Sequence, residues 1–391
     1  FTYVTRIVAS NAAPGRVYAL FDGHRSDDFS AYVYRSDDFG QDWDLIVEGL
    51  PRGSVNAFAE HADNTNLLFV GNELGVWVSV DAGAHWVRME SNLPTVPVDD
   101  IKIHPRENDL VIGTHGRGIW IMDDITPLER LTANALEANA FVFPVRRAYN
   151  SYNPQGWTPG IYAAENPPAG ARIRYHLAVE PAEMTLRVTD ATGNPVRELE
   201  APTSVGFHEV VWDLRLVEDD ADGDPMDPGP RVMPGVYIVE LSTGTDIVQT
   251  EVTVRLDPRV ELGRRDVQVR HLAMLESYRL SGPADEAEEA LDTSAELLDD
   301  VETLLGSSAS GGSALADEVE AIRTLIEEIG DDLDDASGGA GMWGRIQGVS
   351  GPPTADALWQ IDRSWDLLPP VIEFRRRNAA ARERTCRRVG S

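Results

Sequence analysis

Hydrophobic and polar residues alternate in short runs over residues 1–125, and turn-forming glycine, asparagine and aspartate separate the runs. This pattern predicts short β-strands joined by tight turns. The strands fall into three groups, with predicted bounds of Val4–Ala9, Arg16–Phe21, Tyr32–Arg35 and Trp43–Val47; Val55–Glu60, Leu67–Gly71, Gly75–Val80 and Trp86–Met89; and Asp99–His104, Asp109–Gly113 and Gly118–Met122.

An eight-residue pattern, S-x-D-x-G-x-x-W, follows the third strand in the first two groups. Its two copies lie 43 residues apart and consist of Ser36, Asp38, Gly40 and Trp43, and of Ser79, Asp81, Gly83 and Trp86. The serine hydroxyl and the carboxylate can bind backbone N–H groups of a tight turn, and the glycine supplies a positive φ. A period in the forties with strands around each copy is typical of β-propeller blades. We therefore interpret the eight residues as structural.

The three groups predict a partial propeller of about three blades over residues 1–127. Propellers close with about four to eight blades, so three would leave open sheet edges. We therefore expect the chain to be the C-terminal part of a longer protein. The missing N-terminal part would supply the remaining blades.

The strand pattern returns after an irregular connector, 128–170, that is rich in proline, glycine, asparagine and tyrosine. About seven short strands within 171–258 predict an Ig-like or fibronectin-like β-sandwich. The clearest strands are Arg172–Leu177, Met184–Thr189, Phe207–Leu214, Gly235–Leu241 and Ile247–Leu256.

The pattern over 260–374 has helical periodicity and predicts an antiparallel helical bundle. Apolar stripes run through Ala284, Leu291, Leu298 and Leu305, through Leu315, Val319, Ile322, Ile326, Ile329 and Leu333, and through Leu358, Ile361, Trp365 and Leu368. Gly/Ser-rich linkers at 306–313 and 337–344 are expected to separate the helices. The bundle is acidic and its charges are interpreted as a solvated face, whereas the tail 375–391 is basic.

Composition narrows the range of partners. The formal net charge of −31 argues against a nucleic-acid partner and against binding to an anionic membrane surface. The single cysteine, Cys386, excludes an intrachain disulfide and a zinc site made of thiolates. No apolar run is long enough to predict a membrane span.

Propeller topology places the candidate binding residues. In a four-stranded antiparallel blade, the box turns lie on one face, and the turns between strands two and three lie on the other. The second face also carries the links between blades, here 50–53 and 93–97, and loops on a rigid scaffold often bind ligands. The turns there contain the candidate residues His24, Arg25, Asp27, Asp28, Glu73, His115 and Arg117. The alternative is that the two arginines pair with these acids and only brace the turns.

Catalytic and metal-binding patterns are weak. The pairs Asp99-Asp100 and Asp123-Asp124 have the residue type of glycosidase acids, but neighbouring strand residues face opposite sides. Asp220, Asp222 and Asp224 have a calcium-loop spacing, yet Pro225 replaces the turn glycine and Arg231 stands at the twelfth position. We interpret that loop as a solvated surface. No catalytic residue, metal or cofactor is predicted.

Several segments resemble known proteins. Asn108–Asp124, Phe21–Phe29, the two boxes, Trp212–Arg215 and the acidic helices together resemble the C-terminal part of large bacterial BNR/Asp-box, sortilin-like propeller proteins, which are often labelled glycosyl hydrolases. Gly206–Asp213, with Pro234–Tyr237, resembles the Ig-like module of flagellar hook-capping proteins. The resemblance implies an exported protein, which would be periplasmic, on the cell surface or extracellular. It implies no particular reaction.

Two functions follow as hypotheses. The first is non-catalytic binding or scaffolding, in which the propeller rim engages a protein, a peptide or a glycan. The alternative is a glycoside hydrolase, sialidase-like or endoglucanase-like, whose catalytic residues lie partly outside this chain.

Overall fold

The computed structural model describes residues 2–90, 92–150, 168–218, 226–306, 313–349 and 351–368. Within these ranges the protein is mainly β, with several sheets and a group of helices towards its C-terminal end. The predicted calcium loop, Cys386 and the basic tail lie outside the described residues.

Three antiparallel sheets follow one another at the start of the chain, and in each the strands lie in chain order. The first sheet consists of β1 to β4 (Tyr3–Ala9, Val17–Gly23, Asp28–Ser36 and Asp44–Leu45). The second consists of β5 to β8 (Val55–Glu60, Leu68–Asn72, Gly75–Ser79 and Val87–Arg88), and the third of β9 to β11 (Val98–Ile103, Leu110–Thr114 and Ile119–Met122). The predicted strands overlap these, with ends that differ by a few residues.

Each of these sheets packs face to face on the next. One apolar cluster joins the first sheet to the second and includes Tyr18, Leu20 and Val33 with Phe58, Val70 and Trp86. Another joins the second sheet to the third and includes Phe69 and Val76 with Ile101 and Leu110. Burial of alternate side chains on both faces of the second sheet explains its apolar sequence. Consecutive propeller blades pack in the same way.

Two further sheets share a single core. One contains β12, β14 and β17 (Ala140–Val142, Ala171–Leu177 and Gly206–Trp212). The other contains, in spatial order, β13, β19, β18, β15 and β16 (Ala148–Asn150, Ile247–Leu256, Gly235–Ser242, Thr185–Asp190 and Pro195–Leu199). Trp212 and Tyr175 are fully buried between them. The Ig-like assignment remains a prediction.

Residues 128–150, the first part of the connector predicted at 128–170, are not irregular throughout. They contribute β12 and β13 to the two sheets, and β13 runs parallel to β19. Two short helices, α1 (Thr126–Glu129) and α2 (Ala133–Glu137), precede these strands. Strands of three residues are too short to show alternation, and their partners lie far away in the chain, so local pattern did not reveal them.

The remaining helices are α3 to α7 (Arg264–Arg279, Ser281–Gly306, Ser313–Ala340, Met342–Gln347 and 355–368). Helices α4 and α5 run antiparallel, because residues near the start of α4 pack on residues near the end of α5. Arg323 of α5 binds two carboxylates of α4, those of Asp299 and Glu302, at 2.8 Å each. The bundle as a whole remains a prediction.

The prediction of a linker at 337–344 is wrong apart from Gly341, because α5 continues to Ala340 and α6 begins at Met342. Gly338 and Gly339 instead allow close packing, because a Cβ atom on either would meet a side chain of α7. A Cβ atom on Gly339 would collide with the hydroxyl oxygen of Ser364 in α7. The hydroxyl of Ser277 in α3 also donates to the Gly339 carbonyl at 2.6 Å.

Candidate functional site

The two box turns have matching hydrogen bonds. In the first, the Ser36 hydroxyl accepts the N–H of Gly40 at 2.8 Å and donates to Asp38 at 2.8 Å. In the second, the Ser79 hydroxyl accepts the N–H of Gly83 at 2.8 Å and donates to Asp81 at 2.7 Å. Each carboxylate also accepts a backbone N–H from the end of its turn. All these groups bind within their own turn, which is what a structural role requires.

The 43-residue period continues into the third sheet, where Asp124 is in register with Asp38 and Asp81. Asp124 has a φ of 57° and accepts the hydroxyl of Thr126 at 2.6 Å. Its other oxygen binds Arg174 of β14 at 2.7 Å. The box pattern misses this position, because Met122 replaces the serine; only the period indicates it.

The candidate binding turns lie at the opposite end of the sheets, beside the links between sheets. The N–H of Gly53 donates to the Phe29 carbonyl at 2.8 Å, and the N–H of His115 donates to the Pro97 carbonyl at 2.9 Å. Glu73 lies beside Gly53. We call this surface, made of residues 23–29, 50–54, 72–75, 93–97 and 114–118, the rim.

The first polar cluster of the rim joins the candidate residue His24 to Asp22, which the sequence did not single out. His24 Nδ1 lies 2.5 Å from Asp22 Oδ2, and the His24 N–H donates to Asp22 Oδ1 at 2.9 Å. Ser54, from the link to the second sheet, also donates to Asp22. Burial acts to raise the pKa of Asp22, but the hydrogen bonds from Ser54 and His24 outweigh it and lower that pKa.

The rest of the first turn is held by its own hydrogen bonds. Asp27 has a φ of 62° and its N–H donates to the His24 carbonyl at 3.1 Å. Asp28 accepts the Tyr32 hydroxyl at 2.6 Å and the N–H of Ser30, and these bonds lower the pKa of its carboxyl. The Arg25 guanidinium stacks over Tyr3, 5.3 Å from the ring centre. No salt bridge between described residues joins Arg25 to Asp27 or Asp28, so bracing by such a pair is not what the structure contains.

The third turn is the most exposed part of the rim. Its backbone is closed by the Thr114 hydroxyl, which donates to the Gly118 carbonyl at 2.6 Å. Gly116 and Gly118 have φ values of 78° and 74° and face open space. His115 Nδ1 lies 3.2 Å from Asp99 Oδ2. Arg117 is exposed between the two glycines, and no salt bridge among the described residues engages it.

Each member of the adjacent aspartate pairs contacts a histidine or an arginine. Asp99 binds His115, as above, and Asp100 binds Arg6 at 2.8 Å. At the other end of the third sheet, Asp123 lies 3.9 Å from Arg172, while buried Asp124 binds Arg174. Both arginines also bind Glu209 of β17, so this network joins the third sheet to the next unit.

A second polar cluster lies away from the rim and was also missed by the sequence. Buried His61 Nε2 lies 3.1 Å from Glu129 Oε1 and 3.1 Å from Asn108 Oδ1. The hydrogen bond with Glu129 raises the pKa of His61 despite its burial. Burial acts to raise the pKa of Glu129, but the bonds from His61 and Asn108 lower it. The backbone N–H of Asp63 donates to His61 Nδ1 at 3.2 Å. This hydrogen bond opposes protonation of Nδ1, so the interaction with Glu129 has to outweigh it.

Within the described ranges, no group of three or more His, Cys, Asp or Glu side chains is arranged to hold a metal ion. None of the helices described is both long and apolar enough to cross a membrane.

Comparisons with known proteins found solved structures but no matching family model and no matching curated protein. The neighbours include an ancestral GH74 enzyme (13% identity, TM-score 0.25), the Niastella koreensis GH74 enzyme (13%, 0.28) and the Xanthomonas campestris GH74 xyloglucanase (15%, 0.26). The matches cover 64%, 64% and 63% of this chain, but only 31%, 38% and 45% of those chains. Another neighbour is YCF48 bound to D1 peptide (13%, 0.23), with 63% of this chain and 84% of that one covered.

Proposed function

We propose that this protein is a non-catalytic binding or scaffolding module that engages a peptide or a protein segment on the rim. The observation that carries the proposal is the convergence of three consecutive turns and two links at one end of the sheets. These turns expose Arg25, His24, His115 and Arg117 on a scaffold held by two apolar cores. Loops held by a rigid scaffold are favoured binding surfaces.

Four carboxylates in or beside the rim support binding rather than glycoside hydrolysis. A glycosidase needs a carboxylic acid with a raised pKa opposite a second carboxylate. The pKa values of Asp22 and Asp28 are lowered, the reverse of what that acid requires. Asp99 and Asp100 are already engaged by His115 and Arg6. Asp22 and Asp28 are therefore unsuited to the role of that acid.

Apolar side chains between the charges support a peptide as the first choice of ligand and a glycan as the second. Phe29 and Leu74 are exposed on neighbouring turns of the rim. Protein interfaces combine such apolar groups with arginine and a polar surround. Since three sheets do not close a ring, we propose that additional sheets of the same repeat complete the rim. Export, implied by the resemblance alone, is part of the same proposal.

The test is an array of immobilised peptides and glycans probed with the labelled 391-residue chain, run beside a panel of chromogenic glycosides. Saturable binding to peptides or glycans without release of product is the expected result. Release of product from any glycoside, abolished by a rim substitution, would overturn the non-catalytic assignment. Absence of saturable binding to every immobilised probe would count against the rim as a ligand site.

A further inference from the structure

The internal repeat identifies equivalent positions in the three sheets. We call the face that packs on the preceding sheet the front, and the face that packs on the following sheet the back. Val33, Val76 and Ile119 occupy one back position, at intervals of 43 residues. Ile7 pairs with Ala19, which pairs with Tyr34. Phe58 pairs with Val70, which pairs with Trp77. Since Trp77 is the repeat equivalent of Tyr34, Ile7 and Phe58 occupy the same front position.

The front of the first sheet has the residues of a packed face, but nothing in the described structure covers it. Phe58 is buried against the first sheet, whereas its equivalent Ile7 is 67% exposed. Trp86 is buried, whereas its equivalent Trp43 is 40% exposed. The uncovered groove, with a volume of about 650 Å³, is lined by Ile7 and Trp43 together with Val4, Phe21 and Tyr34.

The hydrogen bonds of the two equivalent tryptophans differ in agreement with their exposure. The indole N–H of Trp86 donates to the Ile46 carbonyl of the preceding sheet at 2.9 Å. The indole N–H of Trp43 donates to Gly40 in its own turn at 3.0 Å. The indole N–H that joins two sheets at Trp86 therefore donates within its own turn at Trp43.

The back of the third sheet is the matching half of such an interface. Val33 and Val76 are buried at the back of the first two sheets, whereas Ile119 is 74% exposed. Ile121, two residues further along the same strand and therefore on the same face, is also exposed. Buried apolar equivalents in both other sheets mark this as a packing face and not as ordinary surface.

We propose that the front of the first sheet receives the back of the third sheet from a second copy of this chain. The two faces are the two halves of the contact that already occurs twice within the stack. Two stacks of three sheets place six sheets in sequence, which lies within the range of about four to eight that closed propellers use. Each copy contributes one front and one back, so a pair of copies buries both. The proposal does not depend on which ligand the rim binds.

The test uses full-length variants with an aspartate in one exposed face. Ile7→Asp alters the front and Ile119→Asp the back, and both positions are exposed, so the fold of each copy is retained. Sedimentation velocity of the wild-type chain from about 1 to 100 µM is expected to show association. In a pair of copies of either variant both contacts are altered, because each contact consists of one front and one back, and the dissociation constant is expected to rise by about 100-fold or more.

Mixing provides the decisive result, because the two faces are different. An Ile7→Asp copy keeps a normal back, an Ile119→Asp copy keeps a normal front, and a variant carrying both substitutions has neither. The double variant is expected to be monomeric, and an equimolar mixture of the two single variants is expected to form a mixed dimer through the one intact contact. Ile247→Asp, at an exposed position of β19, is the control and is expected to associate like the wild type.

A wild-type chain that stays monomeric throughout this range would overturn the second copy as the occupant. Association that both face variants and the double variant retain would overturn the proposed interface.

Discussion

Asp124 offers a direct test of how the repeat is joined to the rest of the molecule. Its side chain is 3% exposed, and Oδ2 lies 2.7 Å from Arg174 Nη1. Asp124→Asn removes the charge while keeping an oxygen for Thr126. Asparagine also tolerates the positive φ at this position better than most residues do.

The stability expected to be lost in Asp124→Asn depends on the partner that Arg174 retains. Breaking a buried ion pair costs about 3–5 kcal/mol when the remaining charge has no partner. Arg174 keeps Glu209 at 2.6 Å, so we expect a smaller loss, about 2–3 kcal/mol in the free energy of unfolding. The matched control is Asp123→Asn, whose side chain is 33% exposed and lies 3.9 Å from Arg172. A contact of that kind is worth about 1 kcal/mol or less.

Urea unfolding followed by tryptophan fluorescence measures both changes, and a double-mutant cycle with Arg174→Met isolates the pair. We expect a coupling free energy of about 1–3 kcal/mol between Asp124 and Arg174. A loss below about 0.5 kcal/mol for Asp124→Asn, or the same loss with and without Arg174→Met, would refute the reasoning.

Three other predictions concern stability. Asp81→Ala removes the acceptor of its box turn and is expected to cost about 1–2 kcal/mol while leaving rim binding unchanged, as measured by thermal unfolding and by the array. The raised pKa of His61 means that its ion pair with Glu129 contributes fully below the ordinary value of 6.5 and is lost as pH rises through the folded pKa. The stability lost in His61→Gln should therefore be larger in mildly acidic solution than at high pH, and a flat difference would contradict this. Gly339→Ala is expected to destabilise by about 1–3 kcal/mol through its collision with the facing helix, whereas Gly344→Ala, which meets open space, should not lower the melting temperature.

The strands of the first three sheets could be predicted because their signals are local. Alternation over five or six residues reports one buried face, and the boxes at Asp38 and Asp81 repeat the same turn chemistry. β12 and β13 could not be predicted in this way, since each has three residues and pairs with a strand far along the chain. Gly338 and Gly339 suggested a linker because composition alone does not reveal a facing helix at close range.

In the candidate site, too, features with a local signal could be predicted and contacts between distant residues could not. The turns that hold His24 and His115 follow from strand order. Their partners, Asp22 and Asp99, were not predicted as partners, because a hydrogen bond depends on side-chain direction as well as position. The His61–Glu129 contact joins residues 68 positions apart, so no local pattern reports it. Asp124 carries a signal in the 43-residue period, but Met122 stands in the place of the serine, so the box pattern does not mark it.

The measurement that tests the central claim most directly compares two exposed arginines at opposite ends of the third sheet. Arg117 lies in the rim turn between β10 and β11, and Arg106 lies in the turn between β9 and β10. The peptide and glycan array is probed with wild type, Arg117→Ser and Arg106→Ser. If the rim is the binding surface, Arg117→Ser weakens binding by about 10- to 100-fold and Arg106→Ser leaves it unchanged. Loss of binding in Arg106→Ser with normal binding in Arg117→Ser would place the function on the box face and contradict the account.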